Sequence, residues 1–169
     1  MIEASARSTY PAACTRYYTQ NMLEQGTKLK GAAAVSACET QISEEPSPSE
    51  VVGVSKVEVD GEEGSAEVSY GAGSFGESTV SYDLAYRDNA WKLDEMTAFP
   101  VFDRGAVLLE SGRAMYRRAR TPAELDAAAC ALERLEELDD ASLQDLLLNP
   151  SPQPLLEIGK ACEPRSASV

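Results

Sequence analysis

The residues of this sequence with the clearest capacity for chemistry are its four cysteines, Cys14, Cys38, Cys130 and Cys162. None of them lies in a Cys-X-X-Cys pair and the chain has no histidine, so zinc-finger, thioredoxin-type and haem-attachment patterns are absent. An even number of cysteines without metal-ligand spacing favours disulfides over the alternative of free, buried thiols. We therefore predict two disulfides, no metal site and no cofactor.

The sequence indicates that disulfides form more clearly than it indicates which cysteines pair. Each neighbouring pair brackets a stretch that is typical of a helix, a connection and a second helix, and a bridge between adjacent helices is sterically ordinary. This favours Cys14 with Cys38 and Cys130 with Cys162. Loops of about 24 and about 32 residues would each contribute roughly 3 to 4 kcal/mol in the chain-entropy description. Four cysteines allow three connectivities, and the other two stay open.

General acid or base catalysis would have to depend on a carboxylate, because without histidine neither a Ser-His-Asp nor a Cys-His arrangement can form. The alternating pattern of the last two predicted strands puts Asp83 and Asp94 on the polar face of the sheet. Glu95 shares its parity with Trp91 and is the one candidate for a buried catalytic acid. A glutamate at the end of a strand is usually solvated, so we expect no catalytic site.

The charge of the chain limits its partners. Fifteen Lys and Arg against 28 Asp and Glu give a net charge of −13, which repels nucleic acid and anionic lipid. A local group of arginines, Arg113, Arg117, Arg118 and Arg120, is typical of a solvated helix face beside acidic residues. We predict no nucleic-acid partner.

The expected compartment follows from the cysteines. Disulfides persist outside the cytoplasm, yet the sequence has neither an apolar run of membrane-spanning length nor a signal-peptide pattern at its start. We therefore expect an extracytoplasmic protein whose targeting segment, or N-terminal lipid anchor, lies upstream of this chain.

Hydrophobic periodicity predicts the elements that position these residues. Residues 10–25 and 32–42 have helical spacing, and a polar Pro/Ser connection follows. From residue 51 to about residue 96 the period changes to two in four short runs separated by turn residues, which predicts an antiparallel meander. One face of this sheet is aromatic and aliphatic and the other is polar, as in a sheet that helices cover on one side.

The rest of the chain is predicted to be helical. Thr121-Pro122-Ala123-Glu124 is a capping box with proline at the first helical position, and further helices are expected over residues 103–120, 141–148 and 151–162. The predicted fold class is α+β, with helices packed on one face of a four-stranded antiparallel meander. Residues 10–100 form its α+β domain, residues 101–163 a helical extension packed on that domain, and residues 164–169 a disordered tail.

Two cysteine-bearing helices, the Pro/Ser connection, the meander and the strand Asp88-Asn89-Ala90-Trp91-Lys92-Leu93-Asp94 together resemble a known family. They are similar to the nuclear-transport-factor-2-like (cystatin-like α+β cone) domains of exported actinobacterial lipoproteins. Cys14 and Cys38 match the paired helical cysteines of those domains. The stretch from Cys130 to Cys162 is similar to a two-cysteine helical tail of such secreted proteins. That fold normally opens with a long helix, for which only some thirteen residues precede Cys14.

The resemblance implies two classes of function. The first is a non-catalytic ligand-binding, protein-binding or scaffold protein, with an unknown small apolar ligand or a protein as its partner. The second is a small-molecule isomerase or hydrolase of the ketosteroid-isomerase kind. Five aromatic residues are candidates for lining the cone, although a filled core between sheet and helices is the favoured interpretation of them. These candidates are Tyr17, Tyr70, Tyr82, Tyr86 and Trp91.

Overall fold

The computed structural model describes residues 11–44, 49–73, 75–149, 151 and 153–162. Its sheet has four antiparallel strands in the order β1-β2-β3-β4, so each strand pairs with its neighbour in sequence. The strands are β1 (Glu50–Asp60), β2 (Glu63–Ala72), β3 (Thr79–Arg87) and β4 (Ala90–Val101). The α+β fold class and the four-stranded meander are therefore confirmed. The predicted tail at 164–169 lies outside the described residues.

Seven helices flank the sheet within the described ranges. Three precede it: α1 (Ala13–Tyr17), α2 (Gln20–Thr27) and α3 (Ala32–Glu44). Four follow it: α4 (Arg104–Arg118), α5 (Pro122–Glu137), α6 (Asp140–Leu148) and α7 (Gln153–Ala161). The predicted capping box is present at the start of α5, where Thr121 and Glu124 each accept a hydrogen bond from the other's backbone N–H.

The single helix predicted over residues 10–25 is wrong, because the chain is extended at Tyr18 between α1 and α2. Tyr18 forms a parallel bridge with Leu93 of β4, and the backbone N–H of Thr19 donates to the Leu93 carbonyl at 2.9 Å. The Thr19 side chain then caps α2 by accepting from the backbone N–H of Met22. Helical spacing alone could not reveal this break, because its cause is a strand edge distant in sequence.

The apolar side of the sheet forms the main core. Packed against it are Tyr18, which lies between α1 and α2, Met22 of α2, and Leu147 and Leu148 of α6. A second cluster joins α4, α5 and α6 through Val107, Leu135 and other buried residues. Phe102 and Leu147 contact both clusters, so the C-terminal helices pack continuously with the sheet. The buried sheet residues are Val51, Ala66, Val68, Tyr70, Val80, Tyr82, Leu84, Leu93, Met96 and Phe99.

Both predicted disulfides are present. Cys14–Cys38 joins α1 to α3 with an S–S distance of 2.05 Å, and Cys130–Cys162 joins α5 to the residue after α7 with an S–S distance of 2.03 Å. Each bridge therefore connects two helical segments, as the local pairing predicted.

A buried glutamine joins three elements. The side chain of Gln25 in α2 donates to the carbonyls of Met96 in β4 and Leu148 in α6, both at 2.7 Å. Its oxygen accepts from the backbone N–H of Met96, also at 2.7 Å. Together with Thr19, Gln25 occupies backbone groups along the outer edge of β4.

Candidate functional site

Two of the predicted pocket residues, Tyr70 in β2 and Tyr82 in β3, lie inside the core. Their side chains are 6% and 2% exposed, and their hydroxyl groups hydrogen-bond to each other at 2.9 Å. Burial raises the pKa of Tyr70 to about 12 and holds the pKa of Tyr82 well above its ordinary value. Each hydroxyl therefore finds its partner within the protein.

Further aromatic rings fill the space beside this pair. The ring of Phe75 lies 5.1 Å from that of Tyr70 and 6.1 Å from that of Phe99, measured between centroids. Phe102, just before α4, meets Phe99 edge-on at 5.3 Å. These distances are those of packed aromatic neighbours, so the rings form a continuous core. The three phenylalanines were not among the predicted site residues, because they lie in a loop or near strand ends, where alternation is weak.

Of the remaining aromatic candidates, Trp91 is half-buried and packs against the same core, whereas Tyr17 and Tyr86 are not part of it. Trp91 and Tyr86 face each other across β4 and β3, with ring centroids 5.6 Å apart, and Tyr86 is 36% exposed. Tyr17 is half-buried on α1, beneath the guanidinium group of Arg16. Tyr18, rather than Tyr17, packs against the sheet core. The structure thus brings Tyr70 and Tyr82 into contact and leaves the other three candidates outside that pair.

The position predicted for Glu95 is wrong, because β4 contains a bulge. Asp83 pairs with Glu95 while Leu84 pairs with Leu93, which leaves Asp94 as an extra residue. Directly opposed residues of antiparallel strands point to the same face, so Glu95 shares the face of the exposed Asp83. The Glu95 carboxylate accepts a hydrogen bond from the Asn21 amide at 3.4 Å.

Met96 takes the place on the apolar face that simple alternation assigns to Glu95. It lies opposite Tyr82 in the register and is buried. The buried polar residues of the described ranges are Gln25, Ser49 and Ser78, so no carboxylate described by the structure is buried. A carboxylic acid whose pKa is raised by an apolar site is therefore not found on the covered face.

An open concavity of about 460 Å³ lies on the polar side of the sheet. Five acidic residues line it, together with one basic residue, Arg87. Although Asp83 is exposed as a residue, desolvation of its carboxyl group raises its pKa, and the negative charges of Asp94 and Glu63 raise it further. The lining carboxylates belong to Glu58, Asp60, Glu63, Asp83 and Asp94.

Neither a metal cluster nor a membrane span is found in the part of the chain that the structure describes. No group of three or more Cys, Asp or Glu side chains there could hold a metal ion. None of the helices described is both long and apolar enough to cross a bilayer. The two disulfides are compatible with a location outside the cytoplasm.

No protein family, curated protein or solved structure matches this chain. What the molecule can do therefore has to follow from its own geometry. That geometry comprises a buried aromatic core on the covered side of the sheet and an acidic concavity on the other side.

Proposed function

We propose that this protein is an extracytoplasmic, non-catalytic scaffold or protein-binding protein that acts through its surface. The observation that carries this proposal is the packed aromatic core. Tyr70 and Tyr82 are buried and satisfy each other's hydroxyl groups, and Phe75 and Phe99 continue the packing. A small apolar ligand would need space on this side of the sheet, which the protein's own rings occupy.

The compartment and the family are part of the same proposal. Disulfides form and persist in oxidising environments, which supports secretion or attachment as a lipoprotein. A meander with helices packed on its apolar face supports a nuclear-transport-factor-2-like assignment, in which α4 to α7 add to the cover. Fold by itself does not determine function, so the proposed role depends on the core and the surface.

The alternative class, an isomerase or hydrolase of the ketosteroid-isomerase kind, requires an acid on the apolar face. Glu95, the single candidate, lies opposite Asp83 on the polar side and accepts from Asn21. No specific observation favours this class over a binding role.

Ligand occupancy of the exported protein tests the proposal. Native mass spectrometry should give the mass of the disulfide-bonded polypeptide alone, and Nile red should show no saturable binding. Tyr82→Ala is the positive control, because removal of a buried ring leaves an apolar cavity that a dye can enter. Tyr86→Ala is the matched control at a partly exposed position and should leave dye binding absent. A stoichiometric small molecule bound to the wild-type protein would contradict the proposal.

A further inference from the structure

The two edges of the sheet differ in how their backbone groups are hydrogen-bonded. At the β4 edge, Thr19 binds the Leu93 carbonyl and Gln25 binds both backbone groups of Met96. At the β1 edge, no strand within the described residues pairs with the outer side of Glu50–Asp60. Alternate backbone N–H and C=O groups of an edge strand point away from the sheet, so β1 presents hydrogen-bonding groups that no strand of the described residues pairs.

β1 also exposes an unusual amount of apolar surface. Four of its five valines, Val52, Val54, Val57 and Val59, are 62%, 42%, 59% and 60% exposed, and the fifth, Val51, is buried. Val54 pairs with the buried Val68 and Val59 pairs with Gly64, so both lie on the apolar face of the sheet. A long edge strand with exposed apolar side chains is a template for another strand.

The opposite face beside β1 is strongly acidic. Glu58 and Asp60 of β1 line the concavity with three further carboxylates, and the single cationic group of its lining, Arg87, lies 3.6 Å from Glu62. A cation placed among crowded carboxylates offsets the electrostatic repulsion between them. A strand added beside β1 would project alternate side chains to this face and to the face that carries Val54 and Val59.

We propose that β1 is the docking strand for an extended segment of another protein in which apolar and basic side chains alternate. The segment pairs its backbone with the free edge, packs its apolar side chains beside Val54 and Val59, and places its Lys or Arg side chains near Glu58 and Asp60. This inference rests on the proposed protein-binding function and specifies the chemistry of the partner.

A second copy of this chain fits the edge less well. Two copies would bring together two chains that each carry a net charge of −13, with Glu58 and Asp60 on both sides of the junction. β1 is also interrupted by register shifts between Val51 and Gly53 and between Ser55 and Glu58. Bulges increase local twist and hinder pairing between two preformed sheets, whereas a flexible segment can follow the twist.

Fluorescence anisotropy with a defined probe tests the inference. The probe is a fluorescein-labelled synthetic peptide of about nine residues in which valine and arginine alternate, the length of an ordinary strand. At about 0.15 M salt we expect saturable binding of this peptide. A valine–glutamate peptide of the same length, and a valine–arginine peptide interrupted by proline, should not bind, because the first is repelled and the second lacks backbone donors.

Two pairs of variants locate the binding site. Glu58→Lys with Asp60→Lys should weaken binding about tenfold or more, whereas Glu133→Lys with Glu136→Lys, the same charge change on exposed positions of α5, should alter it by less than about twofold. Val59→Thr should weaken binding, and Val101→Thr, at a comparably exposed valine of β4, should not. Amide hydrogen exchange of β1 should slow when the peptide binds.

Several results would overturn the inference. Equal losses in the two charge variants would mean that the peptide is attracted by net charge alone. Unchanged amide hydrogen exchange in β1 would mean that the peptide binds elsewhere. Failure of the peptide to bind would refute the proposal that β1 is a docking strand. If sedimentation showed a dimer, and the double variant Glu58→Lys with Asp60→Lys made that dimer more stable, pairing between two copies of the chain would be favoured instead. None of these results requires a ligand in the core, so the dye and mass measurements decide the proposed function separately.

Discussion

Replacement of Gln25 by leucine tests the hydrogen bonds that fasten α2 to β4 and α6. The Gln25 side chain is 1% exposed and makes three hydrogen bonds of 2.7 Å, two to backbone groups of Met96 and one to the carbonyl of Leu148. Leucine has a similar volume and no hydrogen-bonding group. Three buried backbone groups would therefore lose their partner while the apolar contacts persist.

The expected loss in the free energy of unfolding is about 3 kcal/mol, from three hydrogen bonds with a net value of roughly 1 kcal/mol each. For a chain of this size that loss lowers the melting temperature by about 6 to 12 °C. Gln25→Glu keeps an acceptor for the Met96 N–H but loses both donated bonds when it is ionised. Burial raises the pKa of such a carboxyl group, so the stability of Gln25→Glu should increase as the pH falls and the group becomes protonated.

Urea unfolding followed by the fluorescence of Trp91, the single tryptophan, measures these changes. Gln41→Leu on α3 is the matched control, because Gln41 is exposed and the same substitution there should change stability by less than about 0.5 kcal/mol. A loss below about 1 kcal/mol for Gln25→Leu would refute the view that its hydrogen bonds fasten these elements.

Three further predictions concern the disulfides, the buried tyrosines and two glycines. Reduction of the disulfides, which close loops of 24 and 32 residues, should lower the free energy of unfolding by about 3.5 kcal/mol for each bridge in urea titrations. Because burial raises the pKa of Tyr70 to about 12 and that of Tyr82 well above its ordinary value, the stability that these groups contribute is present below about pH 10 and is lost as the pH rises through their folded values. Ultraviolet titration should accordingly show delayed ionisation of Tyr70 and Tyr82, and a titration without any delayed component would contradict this. Gly76→Ala should lower the free energy of unfolding by about 2 kcal/mol or more, since Gly76 has a φ of +55° and an added Cβ would collide with Ala106. Gly159→Ala in α7, where an added Cβ meets open space, should raise the free energy of unfolding by about 1 kcal/mol. Thermal melts that ranked the two variants in reverse would refute this.

Local patterns in the sequence were sufficient for much of the fold. Alternation of apolar and polar residues predicted the four strands, because a sheet covered on one face imposes a period of two. Thr121, Pro122 and Glu124 predicted the start of α5, because a capping box is satisfied by groups within four residues. The disulfide pairing also followed local segments, although only the structure excluded the other two connectivities.

The candidate site was predicted less well, because its geometry depends on contacts between distant segments. A single extra residue at Asp94 moves Glu95 to the polar face and Met96 to the apolar face. No property of the strand's own sequence requires a bulge at that position, since it is defined by the pairing of β4 with β3. Five aromatic residues likewise indicated an apolar surface but could not indicate whether it was open or filled.

The sequence by itself determined the four strands, the mainly helical segments before and after them, the expectation of disulfides and the absence of histidine chemistry, because each depends on residue type or short spacing. Only the tertiary structure decided that the Tyr70 and Tyr82 hydroxyl groups bind each other, that Thr19 and Gln25 cover one sheet edge, and that no strand of the described residues pairs with the outer side of β1. These features depend on which distant groups meet. A hydrogen bond or a free strand edge is a property of two segments at once, and neither segment's pattern contains it.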